Sequence, residues 1–273
     1  MILLVAVFTL VGLVAGAIGS LVGIGGGMFF VPALLYFVNW YEPGSMTAQI
    51  AAGTSLMVIA ITALSSTLAY VQQKKVDTQT AWLFFIGSAP GAIAGVYINK
   101  LLQLQSFYLL FGLFQIAMFV LIMVKDKIKP LTLQLDVVRT YTDDQGNEHE
   151  YGYKRWMAVL IAFFVGMISS LFGVGGGILM VPVMLVLFRF PPHVASATSM
   201  FVIFLSAIVG SVTNVLHDHI DWLYVLTLAP GAWIGGKAGA VLAKRIKGQT
   251  LIAILRVLIL AIAVQMIVKA FMA

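Results

Sequence analysis

The sequence has no cysteine, and only 10% of its residues are charged. The absence of cysteine excludes disulfides, thiolate metal sites and cysteine nucleophiles. Aspartate and glutamate total ten, and none lies inside an apolar segment, so no carboxylate is placed to relay protons within a membrane. The sequence shows no nucleophile–base pair, metal-ligand cluster or phosphate-binding loop. We therefore expect a protein that is not an enzyme, has no cofactor or metal, and has no nucleic-acid partner.

Apolar residues are abundant instead, at 61% of the chain, with a mean hydropathy of +1.04. Soluble domains are closer to about 45–50% apolar. The apolar runs approach the ~20 residues that a helix needs to cross a bilayer, unlike the alternating strands of outer-membrane barrels. We predict an all-α polytopic membrane protein that sits in a lipid bilayer, with ten helical segments at 2–21, 28–38, 51–71, 80–98, 107–124, 156–171, 178–188, 195–215, 222–243 and 251–270.

A glycine-rich motif occurs twice, as GIGGG at 23–27 and as GVGGG at 173–177. Each copy is followed by a proline, Pro32 or Pro182, at the same offset of 150 residues. Glycine permits positive φ and close backbone approach, and proline is tolerated in the first turn of a helix. The motif therefore predicts a helix that breaks and restarts. A helix start offers free N–H groups and the positive end of the dipole, which suit an anion.

The duplication extends beyond the glycines. Thr54-Ser55 recurs as Thr198-Ser199, and the sequence APGA occurs at both 89–92 and 229–232. We predict two membrane repeats of about five helical segments each, at 1–125 and 156–273. The linker between them, 126–155, is polar. It alternates with period two at 131–138 and has turn residues at 143–147, which together with 148–153 predict a small β-hairpin.

Loop lysines and arginines indicate how the repeats sit in the membrane. If each glycine-linked pair of segments returns to its starting side, the repeats are inverted and twelve loop cations lie opposite two, Lys100 and Lys269. If each pair forms one broken span, the division is nine against five. The positive-inside rule favours the first arrangement, with both termini outside and a cytoplasmic hairpin. Whether 28–38 and 178–188 cross the membrane fully stays open.

Inverted repeats would bring the two glycine-rich helix starts to one central site, as in secondary transporters. The doubled G-x-G-G-G-x-x-x-V-P motif, with Gly-Thr-Ser at 53–55 and Ala-Thr-Ser at 197–199, resembles the TauE/SafE family of sulfite exporters. That family is also called the 4-toluene sulfonate uptake permeases. Asp221-Trp222 and the Pro-Gly-Ala that follows fit the same pattern. The resemblance covers both repeats. It implies an anion transporter of the bacterial inner membrane whose substrates include sulfite, organosulfonates and similar small anions.

The candidate substrate-binding residues are the motif glycines and the paired hydroxyl residues. Glycine N–H groups would ligate the anion, and the hydroxyls would donate to its oxygens. The alternatives are close helix packing for the glycines and hydrogen bonds within their own helix for the hydroxyls. The set comprises Gly25, Gly26, Gly27, Thr54, Ser55, Gly175, Gly176, Gly177, Thr198 and Ser199.

A second group of residues is predicted to line the pathway or act as hinges. Pro90 and Pro230 fall in mid-segment and should kink or break their helices. Arg256 is the most internal charge, and it either attracts the anion or extends to the interface. Asp77 and Asp221 are interpreted as helix N-caps rather than proton couplers. The full group comprises Pro32, Ser66, Pro90, Pro182, Asn214, Pro230 and Arg256.

The function favoured by these patterns is a secondary transporter, working as an exporter of small sulfur-containing anions by alternating access. The alternatives are an anion channel, a carrier of non-sulfur organic anions, and a membrane sensor or enzyme. The sequence leaves open the identity of the anion, the direction of transport, its coupling and the oligomeric state.

Topology is directly testable because the chain has no native cysteine. Gln145→Cys is expected to react with an impermeant maleimide only after the cell interior is opened, and Tyr41→Cys is expected to react from outside. The predicted hairpin turn and the predicted first outer loop lie on opposite sides of the membrane. Labelling of both from the same side would contradict the inverted arrangement.

Overall fold

The computed structural model describes residues 2–124, 136–142, 146, 148–246 and 248–272. A π-helical turn, Leu34–Val38, joins two short helices, Gly27–Ala33 and Asn39–Tyr41. The predicted helical segments are confirmed. When segment 28–38 is compared with the continuous helical stretch Gly27–Tyr41, the predicted ends differ from the observed ones by no more than three residues. The elements are α1 (Ile2–Val22), α2 (Gly27–Ala33), α3 (Asn39–Tyr41), α4 (Ala48–Gln72), α5 (Thr78–Asn99), α6 (Leu104–Val124), β1 (Val137–Thr142), β2 (Glu148–Tyr153), α7 (Arg155–Phe172), α8 (Gly177–Val186), α9 (Pro192–Val215), α10 (Trp222–Ala243) and α11 (Gly248–Met272).

Six of the described helices, α1, α4, α5, α7, α9 and α10, are long and apolar enough to cross a membrane. The helices that follow the glycine motifs are shorter. At about 1.5 Å per residue, the 10 residues of α8 rise only about 15 Å, which is half of a ~30 Å hydrocarbon core. The structure is therefore a multi-pass membrane protein that combines long helices with a short helix after each glycine motif.

Side-chain caps fix where the long helices begin. Asp77 Oδ1 accepts a hydrogen bond from Thr80 N at 3.1 Å, at the start of α5. Asp221 Oδ1 accepts one from Leu223 N at 3.0 Å, at the start of α10. The N-cap interpretation of both aspartates is therefore confirmed.

The prolines differ from expectation. Pro90 and Pro230 lie inside helices α5 and α10, which run through both residues without a break, so of the predicted kink or break only the kink stays a prediction. Each of these helices is held along much of its length by a neighbour, as described below, and the loss of one N–H bond does not end it. Pro32 and Pro182 are each the sixth residue of their helices, one turn later than expected.

Glycines on α5 lie directly against the backbone of α7. A Cβ placed on Gly87, Gly91 or Gly95 would be 2.1, 2.1 or 2.0 Å from a carbonyl oxygen of α7. Only glycine, with hydrogen at that position, fits there, and the approach allows Cα–H···O contacts. The three carbonyls belong to Val159, Phe163 and Met167.

The same packing of glycines against backbone carbonyls is repeated between α10 and α1. A Cβ on Gly231, Gly235 or Gly239 would be 1.9, 2.2 or 2.1 Å from carbonyl oxygens of α1, those of Thr9, Leu13 and Ala17. The first helix of each predicted repeat thus packs against the third long helix of the other repeat. The two repeats are interleaved rather than placed side by side.

The matched helices α4 and α9 form the centre and run antiparallel. Asp77 N, just after the end of α4, donates to Thr198 Oγ1 near the start of α9 at 3.0 Å. Asp221 N, after the end of α9, donates to Thr54 Oγ1 near the start of α4 at 2.9 Å. Inverted repeats require antiparallel matched helices, and their orientation in the membrane stays a prediction.

The predicted hairpin is present. Strands β1 and β2 pair antiparallel from Val137↔Tyr153 to Thr142↔Glu148. Residues 131–135 of the predicted first strand and most of the predicted turn lie outside the described residues. The ring of Tyr151 packs on Phe190 with centroids 4.2 Å apart, and Gly152 N donates to Phe188 O at 3.2 Å. The hairpin is therefore anchored on the segment that follows α8.

Gly91→Ala is expected to destabilise the fold by about 1–3 kcal/mol, because its methyl group would force α5 away from α7. Gly210→Ala is the matched control, since a Cβ there first meets the Ser170 hydroxyl at 3.0 Å and no backbone atom. Thermal unfolding in detergent measures both. Equal stability of the two variants would contradict the importance of Gly91 for the close packing of α5 against α7.

Candidate functional site

The two glycine breaks lie directly against each other. A Cβ on Gly27 would be 2.7 Å from Val174 Cα, and one on Gly177 would be 2.3 Å from Ile24 Cα. Each break also faces the other's last helical turn, since the same Cβ atoms would be 2.8 Å from Gly173 O and 2.5 Å from Gly23 O. The structure therefore brings the candidate glycines of both repeats together.

Left-handed backbone produces both breaks. Gly25 and Gly26 have φ of +78° and +88°, and Gly175 and Gly176 have +78° and +73°. These angles are costly for any residue with a Cβ. Gly26 and Gly176 are the N-caps of α2 and α8, so the predicted break and restart is confirmed.

Several N–H groups at these helix starts have no partner in the described part of the chain. Among the described residues, no hydrogen bond is made by the backbone N–H groups of Gly26, Gly27 and Met28. The same holds, within the described part of the second break, for Gly175, Gly176 and Ile178. Helix starts leave such donors, and they can be satisfied by a ligand.

Two isoleucines cover the breaks. A Cβ on Gly25 would be 3.0 Å from Ile59 Cγ2 and 3.3 Å from Ile203 Cγ2, and one on Gly175 would be 2.6 and 3.3 Å from the same atoms. Ile59 on α4 and Ile203 on α9 are 0% and 2% exposed and occupy matched positions in the two repeats. In this arrangement Gly25 and Gly175 are therefore covered by aliphatic side chains.

The paired hydroxyl residues connect the two repeats. Ser55 Oγ donates to Gly173 O at 2.7 Å, and Ser199 Oγ donates to Gly23 O at 2.7 Å. The serines thus stabilise the carbonyls that end α1 and α7. Thr54 and Thr198 accept the aspartate N–H groups described above, and no acceptor among the described residues takes their own O–H groups.

The remaining candidates are bonded elsewhere. Ser66 Oγ donates to Thr62 O at 2.8 Å and Gly236 O at 3.1 Å, and Asn214 Nδ2 donates to Gly210 O at 2.9 Å. Pro90 and Pro230 are exposed on the outer surface of the bundle, Pro32 and Pro182 are buried in α2 and α8, and Arg256 is half-buried in α11. The structure does not place this group around the glycine breaks.

Two polar features were missed by sequence reasoning. Ser88 Oγ and Ser206 Oγ lie 2.6 Å apart, in a buried hydrogen bond between α5 and α9. Gln115 in α6 is completely buried, and neither atom of its amide has a partner among the described residues. A lone amide inside an apolar segment is costly in a membrane, and that cost was the available signal for Gln115.

The aspartate caps differ in their surroundings. Arg139 Nε lies 3.4 Å from Asp77 Oδ2, to which Tyr151 also donates at 3.1 Å. Burial, followed by the charge of Asp77, raises the pKa of the Tyr151 phenol, which therefore stays protonated as a donor at neutral pH. The hairpin thus covers the Asp77 carboxylate, whose side chain is only 6% exposed.

Comparisons with known proteins give the chain its family. The family model "Sulfite exporter TauE/SafE" matches residues 8–266. The chain is 45% identical over 263 residues to the "Probable membrane transporter protein YunE" of Bacillus subtilis, and the match covers 96% of each chain. A "Probable membrane transporter protein" of Xylella fastidiosa is 29% identical, covering 86% of this chain and 82% of the relative.

A plant relative carries the family's name. The "Sulfite exporter TauE/SafE family protein 6" of Arabidopsis thaliana is 26% identical over 147 residues, 54% of this chain and 31% of that protein. No solved structure matches the chain significantly. Since the family model spans nearly the whole chain and both glycine motifs, the protein belongs to the TauE/SafE sulfite exporter family of membrane transporters.

Proposed function

We propose that this protein is a secondary transporter that exports small sulfur-containing anions, such as sulfite or organosulfonates, across the bacterial inner membrane. The anion binds near the midplane, between the starts of α2 and α8. The family description and the name of the plant relative support sulfite as a member of the substrate class. The pathway is open alternately to each side of the membrane.

The observation that supports this proposal is that the starts of α2 and α8 lie against each other and have N–H donors without a partner among the described residues. Each helix start contributes about half a positive charge, so two facing starts offset roughly one negative charge without a basic side chain. A monovalent anion with several oxygens could be bound by the six N–H groups of the two breaks that have no partner among the described residues. Desolvation of these donors and of the anion is compensated only when they bind each other.

Access to the site requires movement of the central helices. Ile59 and Ile203 cover the breaks, so an anion reaches the N–H groups only when these two side chains separate. They lie on α4 and α9, which also carry the Thr-Ser pairs that bond to the opposite repeat. A relative shift of α4 and α9 would uncover the donors and rearrange those bonds in one step, which suits alternating access.

Substrate class and transport mode are tested together in proteoliposomes. Purified protein is expected to give saturable sulfite or sulfonate flux with counterflow stimulation, and weaker flux of sulfate and acetate. Flux without saturation or counterflow would indicate a channel. A preference for carboxylates over all sulfur oxyanions would instead identify a carrier of organic anions.

Gly176→Val is expected to abolish flux, because the added side chain would block approach to the N–H groups. A Cβ there is no closer than 3.4 Å to its neighbours, so the variant is strained by its φ of +73° and not by a steric clash, and its control must share that φ. Gly146→Val in the hairpin turn is the matched control, with φ of +86° and open space around it, and it should retain flux. Gly26→Val should also abolish flux. Normal flux in both central variants would assign these glycines to packing.

The apolar segments contain no acidic residue, and this limits the ways in which transport can be driven. The inside-negative potential expels an anion with about 2.3 kcal/mol per charge per 100 mV, or the substrate carries its own proton as a weak acid. In either case the protein itself does not have to titrate.

The double variant Asp77→Asn, Asp221→Asn is therefore expected to keep transport that responds to membrane potential. Proteoliposomes in which potential and pH gradient are set independently measure this. Loss of a pH-gradient response that the unmodified protein shows would identify an aspartate as the coupling group.

A further inference from the structure

Two cavities adjoin at the ring of Tyr36, on the outer surface of the bundle. The larger, of about 1130 Å³, lies between the π-helical turn, the start of α4, the start of α6 and the end of α11. The smaller, of about 500 Å³, is a groove between α1, α2 and α11. Tyr36 lines both of them, and Lys269 and Gln265, one helical turn apart on α11, line one cavity each. A ligand long enough could therefore occupy both.

The larger cavity has one positive charge and no acid among its described lining residues. Lys269 Nζ lies 4.4 Å from the ring centroid of Tyr36 and 6.0 Å from that of Tyr108. No carboxylate in the described part of the chain forms an ion pair with it. Aromatic rings hold an ammonium group in place through cation–π attraction but do not neutralise its charge. Lys269 thus gives the cavity a fixed positive potential.

The predicted topology makes this lysine unusual. By the charge count above, only Lys100 and Lys269 lie on the side of the membrane that holds both chain ends, opposite twelve loop cations. Lys100 lies over the ring of Tyr97, at 5.2 Å, and lines neither cavity. A lysine placed inside a cavity on the side with few cations indicates a negatively charged ligand rather than a contribution to topology.

Two further donors are available beside Lys269. Within the described part of the chain, neither the Trp40 indole N–H nor the Gln103 amide has a hydrogen-bond partner, and both residues line the larger cavity. The other two amides there are already engaged, since Asn39 and Gln49 donate to backbone carbonyls. Tryptophan is enriched at the level of lipid headgroups, where its ring is in apolar surroundings and its N–H is hydrated. The donor set therefore suits a phosphate at the membrane surface.

The groove is apolar and extends from this surface into the membrane. It reaches from Tyr36 to Met28, eight residues apart, which is about 12 Å at 1.5 Å per residue. Half of a hydrocarbon core is about 15 Å, so the groove extends most of the way to the midplane. Its apolar lining includes side chains that are substantially exposed, namely Leu10, Val14 and Phe37. Such a groove suits a hydrocarbon chain.

We propose that the two cavities together bind one anionic phospholipid of the phosphatidylglycerol kind, with its phosphate at Lys269 and one acyl chain in the groove. The larger cavity exceeds the ~300–1,000 Å³ of sites for drug-sized ligands, so an anion of the size of sulfite would fill little of it. A free anion would also leave the apolar groove unused.

The acyl chain would end beside the start of α2. Met28 lines the groove, and its backbone N–H is one of the donors that have no partner among the described residues. A bound lipid would therefore pack against the helix whose start forms half of the proposed transport site. The lipid site is nevertheless separate from that site, and lipid binding does not depend on which anion is transported.

Native mass spectrometry of the delipidated full-length protein in neutral detergent tests the headgroup contact. The first dioleoyl-phosphatidylglycerol should bind more tightly than the zwitterionic dioleoyl-phosphatidylcholine. Lys269→Gln should weaken that binding by at least about fivefold, since a unit charge at about 4 Å contributes that much even in water. Lys100→Gln is the matched control and should leave the binding unchanged, because Lys100 also lies over a tyrosine ring but lines neither cavity.

A second pair of variants tests the groove. Val14→Trp should fill part of it and weaken phosphatidylglycerol binding by at least about fivefold, since displacing two buried CH₂ groups costs more than that. Val241→Trp on α10 is its control, because Val241 is 50% exposed against 48% for Val14 and does not line the groove. Thermal unfolding of all four variants in the same detergent should match that of the unmodified protein.

Three outcomes would overturn the proposal: equal affinity for the two lipids, equal effects of Lys269→Gln and Lys100→Gln, or equal effects of Val14→Trp and Val241→Trp. Competition separates a lipid headgroup from a free anion as the ligand. Displacement of the lipid by sodium phosphate or sodium sulfite at constant ionic strength would also overturn it, since the cavity would then be a site for free anions. Gly176→Val should still bind the lipid, so loss of flux and loss of lipid binding are distinguishable.

Discussion

Close approach of backbone to backbone is the constraint on which this structure depends. Along α5–α7 and α10–α1, hydrogen atoms of glycine stand where a Cβ would be within about 2 Å of a carbonyl oxygen. Lipid tails are as apolar as leucine, so helices in a bilayer gain little from burying apolar side chains against each other. Close packing must supply the attraction instead. The glycine breaks use the same property at the centre, where two chain segments meet without side chains between them.

The hydrogen bonds of the centre follow from that approach. Broken helices are tolerated inside a membrane only where protein satisfies or encloses their polar groups. Here the carbonyls that end α1 and α7 are satisfied by Ser199 and Ser55, each from the opposite repeat. Within the described part of the chain, the carbonyls therefore have partners while a set of N–H groups does not. At the proposed transport site, that imbalance would favour anions over cations.

The sequence predicts the bounds of the secondary-structure elements better than it predicts which elements pack against each other. Apolar periodicity, caps such as Asp77 and the glycine motifs depend on local chemistry, so the helix bounds, hairpin and breaks follow from them. The pairing of α1 with α10 does not, because a glycine stripe is compatible with any close partner. Likewise, Ser55 has the same local signature whether it donates to Gly173 O or to a ligand. The covering of the breaks by Ile59 and Ile203 carries no sequence signal beyond that of two ordinary apolar residues.

The interleaving of the repeats has a consequence for biosynthesis. Thr9 O in α1 lies against Gly231, more than 200 residues later in the chain. At about 5–20 residues per second, the ribosome needs roughly ten to forty seconds to supply that partner. During this interval α1 is a stable single helix in lipid, but its packing surface is unfilled. Assembly of the bundle is thus delayed until translation is almost complete, and a chain truncated after the first repeat would lack the helix that α1 needs.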